Sequence, residues 1–369
     1  MTKASNMSSI QNKAQRLAFA AIDPYIASNI VEPTESESRG RDYISWGDGN
    51  RYPEYLENLG ANCATLQTII NGTADYIVGN GVVCNVAEFA KQVNKNGDTM
   101  HDIVYKIAVN YLTFGGYALS VVRNNSGNIG EIDSVYIPYL RCDKDNKVFY
   151  YSEEWRKSRV RAIRYPKYLH GDTNATSILY VKSPKSRGTY PVPIWNAAVR
   201  AAELDTLITN YHLNSIQNGF AGGHIFNFND GEPDDEQKME IERNINEKFA
   251  GSENAGRILI SYNRDKEHAL DIQRIDVVDL DKKYEAVATW SMKQLYTAFR
   301  AIPCLFGLPT ENSGFNREEF LQAFELYNKT VVSPIQQLIC REMDKLFGVK
   351  DSISIIPFSL ENTSNNSDE

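Results

Sequence analysis

The sequence predicts an α+β fold whose architecture is set by long helices rather than by one continuous sheet. Three observations carry that expectation. Apolar residues recur three or four apart across 282–347, the period of a helix with one buried face. Short alternating runs separated by turn signals fill 117–182, the pattern of small antiparallel sheets. A unit of about forty residues reading β-α-β, from about 220 to 262, stands between two long helical stretches.

Taken in order, residues 1 to about 45 read as a flexible arm. Ser, Thr, Glu and Arg dominate Glu32 to Arg41, with almost nothing apolar to bury. Order is expected from Tyr43-Ile44-Ser45-Trp46. Tyr52-Pro53-Glu54 then opens a helix with proline in its first turn. From Asn62, the residues Leu66, Ile69, Ile70, Ala74 and Ile77 give a second helix ending at Gly79, and Asn80-Gly81 turns the chain into Val82-Val83. Thr99 begins a third, with Ile103, Val104, Ile107, Ala108 and Tyr111 inward, stopped by Gly115-Gly116. Strands are expected over Tyr117–Val122, Ile129–Ile137, Lys147–Tyr151 and Ser177–Lys182, the first two joined by the Asn124-Asn125-Ser126-Gly127 turn.

Beyond Pro191-Val192-Pro193 a long helix runs from about Ile194 to Asn218, striped by Ala197, Ala201, Leu204, Leu207, Ile208, Tyr211 and Ile216. Its alanines would let a second helix come close. In the insert, the strand around Ile225 is followed by a helix over Pro233–Phe249. Asp234, Asp235 and Glu236 crowd its first turn, where carboxylates complement the helix dipole. A strand over Arg257–Tyr262 closes the unit. Asp281 sits where a cap would sit for the next helix, which Tyr284, Val287, Ala288, Leu295 and Phe299 stripe until Pro303 forbids its continuation past Ile302. A Gly/Pro loop follows. Asn316 and Glu319 then match a capping box, and the last helix carries Phe320, Phe324, Tyr327, Val331, Ile335, Leu338 and Leu346 on one face. Pro334 lies inside it and predicts a kink. Ser352 to Phe358 alternates as a closing strand, and the polar tail after it is expected to be disordered.

Bulk composition narrows the function. The chain has 369 residues and a formal net charge of −8, which argues against a protein that grips nucleic acid over its whole surface. Aromatic residues make up 11%, led by 21 tyrosines, whose apolar faces and polar tips suit interfaces as well as cores. The five cysteines, Cys63, Cys84, Cys142, Cys304 and Cys340, form no CxxC pair, so neither a zinc site nor a disulfide framework is indicated. The apolar run Leu17–Ile22 is too short for a signal or membrane helix, and a soluble protein is expected.

Catalytic patterns are absent: no phosphate-binding lysine loop, no HExxH and no GxSxG. No residue is put forward as catalytic or metal-binding, and no cofactor is expected. The five histidines show no ligand spacing. Asp234, Asp235, Glu236 and Glu240 could bind a cation, or could simply complement a helix dipole. The locally basic span Trp155 to Arg187 reads either as a nucleic-acid patch or as a solvated sheet face.

The order of parts, from Trp46 to Phe358, resembles the portal proteins of tailed bacteriophages and prophages. Three stretches carry the local likeness: Tyr55-Leu56-Glu57-Asn58-Leu59 leading to Ala74-Asp75-Tyr76-Ile77-Val78-Gly79-Asn80-Gly81; Phe114-Gly115-Gly116-Tyr117-Ala118; and Ala301-Ile302-Pro303-Cys304-Leu305-Phe306-Gly307-Leu308-Pro309. The Pro191-Val192-Pro193-Ile194 segment departs from the Gly-x-Ser-Pro turn of many relatives, and the short stretch after Phe358 leaves no room for a helical crown.

The resemblance implies a division of the chain. Residues 1–45 would be an arm, 46–191 most of an outer wing, 192–219 and 271–303 two stem helices and 220–270 a clip. Residues 304–317 would form a tunnel loop, 318–358 a kinked tunnel helix and closing strand, and 359–369 a tail. It implies a homo-oligomeric ring, typically of twelve subunits, at a capsid vertex of the virion. Double-stranded DNA would pass Asn312, Ser313, Gly314, Phe315, Asn316 and Arg317. The clip, with Asp234, Asp235, Glu236, Glu240 and Glu247, would face the terminase large subunit and later a head-tail adaptor, while the major capsid protein would surround the ring and no membrane would be involved. Two rivals remain beside it: a metal-dependent DNA-processing enzyme using the basic span and an acidic cluster, and a capsid or adaptor scaffold that never touches DNA.

Overall fold

A strand that the sequence hides opens the described chain. In the computed structural model, residues 35–37, 42–157, 159–217, 225–228, 233–234, 236–237, 239–241, 243, 259–262, 280–308 and 317–358 are described. Strand β1 (Glu35–Glu37) pairs antiparallel with β2 (Ile44–Trp46). All three residues of β1 are exposed, so no apolar burial holds it. The Glu35 carboxylate accepts the Tyr190 backbone N–H at 2.8 Å, and Glu37 pairs with Lys144 at 3.0 Å. The flexible arm expected over 1–45 is corrected at 35–37, because a strand fixed by backbone pairing and carboxylates leaves no hydrophobic pattern to read.

Helices α1 (Tyr52–Asn62) and α2 (Ala64–Val78) follow the expected stripes, and Leu66, Ile69, Ile70, Ala74 and Ile77 of α2 are buried. Strand β3 (Gly81–Cys84) leads toward α3 (Met100–Phe114). Thr99 and Asp102 form a reciprocal capping box there: the Asp102 N–H donates to the Thr99 hydroxyl at 3.3 Å, and the Thr99 N–H to the Asp102 carboxylate at 2.8 Å. Helix α2 packs against both α1 and α3, and all three helices contribute to the core.

Two three-stranded antiparallel sheets follow. Strands β4 (Gly116–Arg123), β5 (Ile129–Val135) and β9 (Thr176–Lys182) form one, in the order β5-β4-β9. Strands β6 (Leu140–Cys142), β7 (Val148–Tyr151) and β8 (Ile163–Pro166) form the other. Strands β6 and β8 were not expected. The first carries an arginine at its centre, and Arg141 is only 1% exposed. Among the described residues no carboxylate is hydrogen-bonded to it. Its guanidinium instead donates to the Asn50 side chain and backbone carbonyl and to the carbonyls of Pro138 and Leu140, and it stacks over Trp155 at 4.8 Å. Desolvation lowers its pKa to about 10, which still leaves it charged at neutral pH.

The turn at Gly115-Gly116 sets where the next helix starts. Gly115 has φ +83°, and a Cβ there would lie 2.0 Å from the Val192 carbonyl oxygen; one on Gly116 would lie 2.6 Å from the Val181 oxygen. The Pro191–Pro193 segment therefore rests directly on a backbone without side chains. It leads through a single helical turn (Asn196–Ala198) into α4 (Val199–Gln217). Strands β10 (Ile225–Phe228) and β11 (Leu259–Tyr262) pair in parallel, as a β-α-β unit requires.

Helix α5 spans Leu280–Phe299. Asp281, expected as its cap, lies one residue inside it. Its end comes three residues before Ile302 in a Schellman arrangement: Arg300 adopts φ +54°, the Arg300 N–H bonds the Thr297 carbonyl at 3.0 Å, and the Ala301 N–H reaches back to Tyr296 at 2.9 Å. The final rod joins α6 (Arg317–Tyr327), a π-helical segment (Asn328–Val332) and α7 (Ser333–Phe347) without a break. The disruption expected from Pro334 is expressed as that π segment, one turn before the proline. Strand β12 (Ile353–Ile356) then returns to pair antiparallel with β3, so both ends of the described chain are sewn into one core running from Ile44 to Ile353.

Replacing Arg141 with alanine leaves the carbonyls of Asn50, Pro138 and Leu140 buried with fewer partners. The expected loss is about 2–4 kcal/mol of unfolding free energy by denaturant titration. A loss below roughly 0.5 kcal/mol would mean that water replaces the guanidinium and that the buried cation is not what holds β6 to the Asn50 turn.

Candidate functional site

The candidate site is built on the pair formed by α4 and α5. At its base Trp195 stacks on Phe299, ring centres 6.3 Å apart, and the Trp195 indole N–H donates to the Leu112 carbonyl at 3.0 Å. Tyr52 and Tyr55 of α1 add hydroxyl bonds to Asn196 (3.0 Å) and Glu203 (2.5 Å). At the far end Tyr211 lies 4.5 Å from Tyr284, with the His212 ring at 5.6 Å. The start of α4 thus faces the end of α5, and the helices are antiparallel. Desolvation, helped by Tyr211, raises the Tyr284 pKa. Of the expected α4 stripe, Ala201 and Ile208 are buried, Leu204 is half-buried, and Ala197, Leu207 and Tyr211 are exposed. The stripe is real, but in one copy of the chain only part of it finds a partner.

The loop between α5 and α6 has a fixed root. Pro303–Phe306 forms one helical turn against α2. Tyr76 of α2 is surrounded by Phe306, Phe324 and Tyr327, ring centres at 6.1, 5.8 and 6.0 Å, and its hydroxyl donates to the Leu305 carbonyl at 3.0 Å. The Thr73 and Tyr327 hydroxyls are bonded at 2.7 Å. Gly72 lets Phe306 in: a Cβ there would lie 2.9 Å from two of its ring atoms. Of the residues expected to narrow a channel, Asn312, Ser313, Gly314, Phe315 and Asn316 lie outside the described residues. Arg317 is exposed on the first residue of α6, followed by Glu318 and Glu319. A cation there opposes the helix dipole, and the two carboxylates compensate for it.

In the insert, Asp234 has a structural task. Its carboxylate accepts the Gln237 N–H at 2.8 Å, and its own N–H donates to the Gln237 side chain at 3.3 Å, a reciprocal cap. Glu236 and Glu240 are exposed, while Asp235 and Glu247 lie outside the described residues. Within the basic span, Arg156 holds Glu54 through two bonds of 2.8 and 2.5 Å, Lys157 pairs with Glu154, and Lys182 donates to the Gly188 carbonyl. Arg159, Arg161, Arg164, Lys167, Lys185 and Arg187 are exposed. Among the described residues, no group of His, Cys, Asp and Glu side chains is arranged to hold a metal ion, and no helix is long and apolar enough to cross a membrane. The five cysteines are free thiols.

Sequence reading missed a cleft of about 330 Å³ between the end of α5, the 183–194 segment and α7. Lys185, Arg300 and Arg341 stand around it over a floor that includes Phe299, Val331 and Leu338. These residues come from three distant parts of the chain, so no local pattern could have joined them.

Comparison with known proteins gives concordant results. A family model described as Phage portal protein matches residues 87–365. Among solved structures, the fold is similar to a chain of the neck of a native gene transfer agent (GTA) particle computed with C12 symmetry. The TM-score is 0.53 and the identity 17%, covering 84% of this chain and 85% of that one. A chain from the virion of a native GTA particle gives 0.52 and 18%, covering 83% of each. One from the neck of an empty GTA particle computed with C6 symmetry gives 0.53 and 16%, covering 85% of each. No curated protein matches the chain at a comparable level.

The aromatic root fixes a pH dependence. Burial pushes the Tyr327 hydroxyl up to about 12, and Tyr117, Tyr180 and Tyr190 well above the usual tyrosine value. The folded state favours the neutral phenols, so their stabilisation is complete below the unfolded value of about 10 and is lost as pH rises through the folded values. The melting temperature should stay level up to about pH 9 and fall between about pH 10 and 12. Tyr327→Phe should soften that fall while costing about 1 kcal/mol at neutral pH through the lost Thr73 bond. A flat alkaline profile would contradict this assignment.

Proposed function

This chain belongs to the phage portal protein family, its model matching residues 87–365, and we propose that the protein is the ring through which a phage or phage-like particle loads and releases its DNA. The observation that carries the reading is the antiparallel pair α4–α5 bracketing the parallel β10–β11 insert, in a chain whose loop root and closing rod are packed against the same core. Such a subunit has a broad folded wing at one end and a small knob at the other, with two rods between. Copies placed side by side bring rods against rods and leave a hole. The C12 and C6 symmetries named for the GTA necks support a ring, with twelve copies the natural number.

Each part then takes a task. Residues 46–191 form the wing, 192–219 and 271–303 the stem, and 220–270 the clip, where the exposed carboxylates of Glu236 and Glu240 are available to a terminase large subunit and later to a head-tail adaptor. The segment 304–317 is the tunnel loop, with Arg317 its phosphate partner, and the major capsid protein surrounds the wing at one vertex of the virion. Passage needs weak binding. Each stable phosphate contact adds counterion-release affinity, so a subunit with net charge −8 suits a channel that DNA slides through. Nucleotide hydrolysis belongs to the motor, and the protein is not an enzyme.

Purified protein imaged down its axis should give closed rings with an open centre, and neither metal-dependent DNA cleavage nor nucleotide turnover should accompany them. Replacing the loop residues Asn312 to Arg317 should leave rings and heads well formed but poorly filled with DNA. A monomer at all concentrations, or cleavage that follows added divalent metal, would overturn the proposal. Full heads from the loop variant would leave the ring but remove the loop's role.

A further inference from the structure

Two helices standing side by side bury only the faces they turn toward each other, and α4 and α5 leave large apolar side chains outside. Trp290 is 51% exposed, Leu207 45% and Tyr211 42%. The other three tryptophans, Trp46, Trp155 and Trp195, are at most 8% exposed. An indole half in water at the middle of a helix is a poor use of the largest apolar side chain, and tryptophan is the residue most enriched where interfaces concentrate their energy.

The register of the pair tells what can cover it. Tyr211 meets Tyr284, and Trp195 meets Phe299, so residues rising along α4 match residues falling along α5. Trp290 lies six residues beyond Tyr284, about 9 Å along the axis. Leu207 and Leu204 lie about 6 and 10 Å back from Tyr211. The indole is therefore level with the exposed and half-exposed leucines of the other helix. Lys293, exposed about 4 Å further on, comes level with Glu203, which is half-exposed. Rotation about a ring axis running along the pair carries one copy onto the next without sliding it along that axis. Groups on one level in a subunit thus meet the same level of its neighbour: apolar against apolar, lysine against carboxylate.

We propose that Trp290 is the anchor by which one copy of this chain packs against the next, seated at the level of Leu204 and Leu207 of the neighbouring copy. The inference rests on the ring reading and names the residue that holds the ring's rods together. Each copy carries a net charge of −8, so neighbours repel, and an uncharged anchor is what adjoining rods of this composition require.

Trp290 can be read directly because the remaining indoles are already buried. On assembly of the full-length protein, tryptophan emission should move to shorter wavelength and become protected from a soluble quencher. Trp290→Phe should assemble without that change. Trp290→Ala and Leu207→Asp should raise the concentration needed for rings by about tenfold or more, since anchors of this kind carry 2 kcal/mol or more. Both side chains are exposed in a single copy, so unchanged far-ultraviolet circular dichroism and melting temperature should show that the variants fold. Wild-type rings whose emission stays unshifted and fully quenchable would overturn the inference and leave the ring intact. Wild-type protein that makes no ring would overturn both.

Discussion

The rest of the structure depends on the close approach of Phe306 to Gly72. The chain must travel from α5 back into the rod formed by α6 and α7, and it does so across α2, one of the core's helices. A side chain at position 72 would occupy the space of the ring, with a Cβ only 2.9 Å from it. Once the ring is seated, Tyr76, Tyr296 and Tyr327 close around it. Aromatic pairs of this kind add about 0.5–1.5 kcal/mol each beyond their burial, and a cluster couples them rather than summing them. The result is a chain fixed against α2 at Phe306 and again at Tyr327.

Much of this was legible beforehand, and the reasons for the rest are specific. The stripes of α2, α3 and α7 were readable because each of those helices buries one face within a single copy, and burial is what writes a period into a sequence. Strand β6 was not readable, because its central residue is a buried arginine whose charge is met by carbonyls and indole rings that no spacing rule anticipates. Strand β1 is held by backbone and carboxylates alone. Gly115-Gly116 could be seen as a helix stop, but not as the seat of the Val192 carbonyl that launches α4. At the candidate site the sequence placed Asp234 at a helix start, where the structure adds its partner Gln237. The cleft around Arg300 combines three remote segments and left no trace in any of them.

The division of burial along α4 and α5 carries the functional argument. Near the core, Trp195, Ala201, Ala202, Leu295 and Phe299 are all but inaccessible. Further out, the same stripes end in half-exposed rings. A sequence does not maintain helical periodicity in large apolar residues for a face left in water, since such residues lower solubility without adding stability. The outer half of the pair is incomplete as a monomer. The chain belongs to the phage portal family, and in the ring we propose, the missing partner is another copy.

The π segment before Pro334 decides whether the long rod is hinged or merely bent. Proline at 334 removes the N–H that would bond the Thr330 carbonyl, and its ring crowds that same carbonyl. Widening the helix over Asn328–Val332 moves the obstacle aside, and the Thr330 hydroxyl turns to the Leu326 carbonyl at 2.8 Å. A segment relieved in this way could flex if it stood in solvent. It does not: Val331 and Val332 are buried to within 2% of full enclosure, Tyr327 just before them is bonded to Thr73, and Gln336 just after them donates to the Ile77 carbonyl at 2.8 Å. The bend is clamped to α2 from both sides. Upstream of the clamp, Leu321 and Leu326 are exposed and α6 has far fewer buried residues. The boundary between the held and the unheld part of the rod therefore falls at Tyr327, ten residues after Arg317, and α6 is the only described stretch between the clamp and the loop.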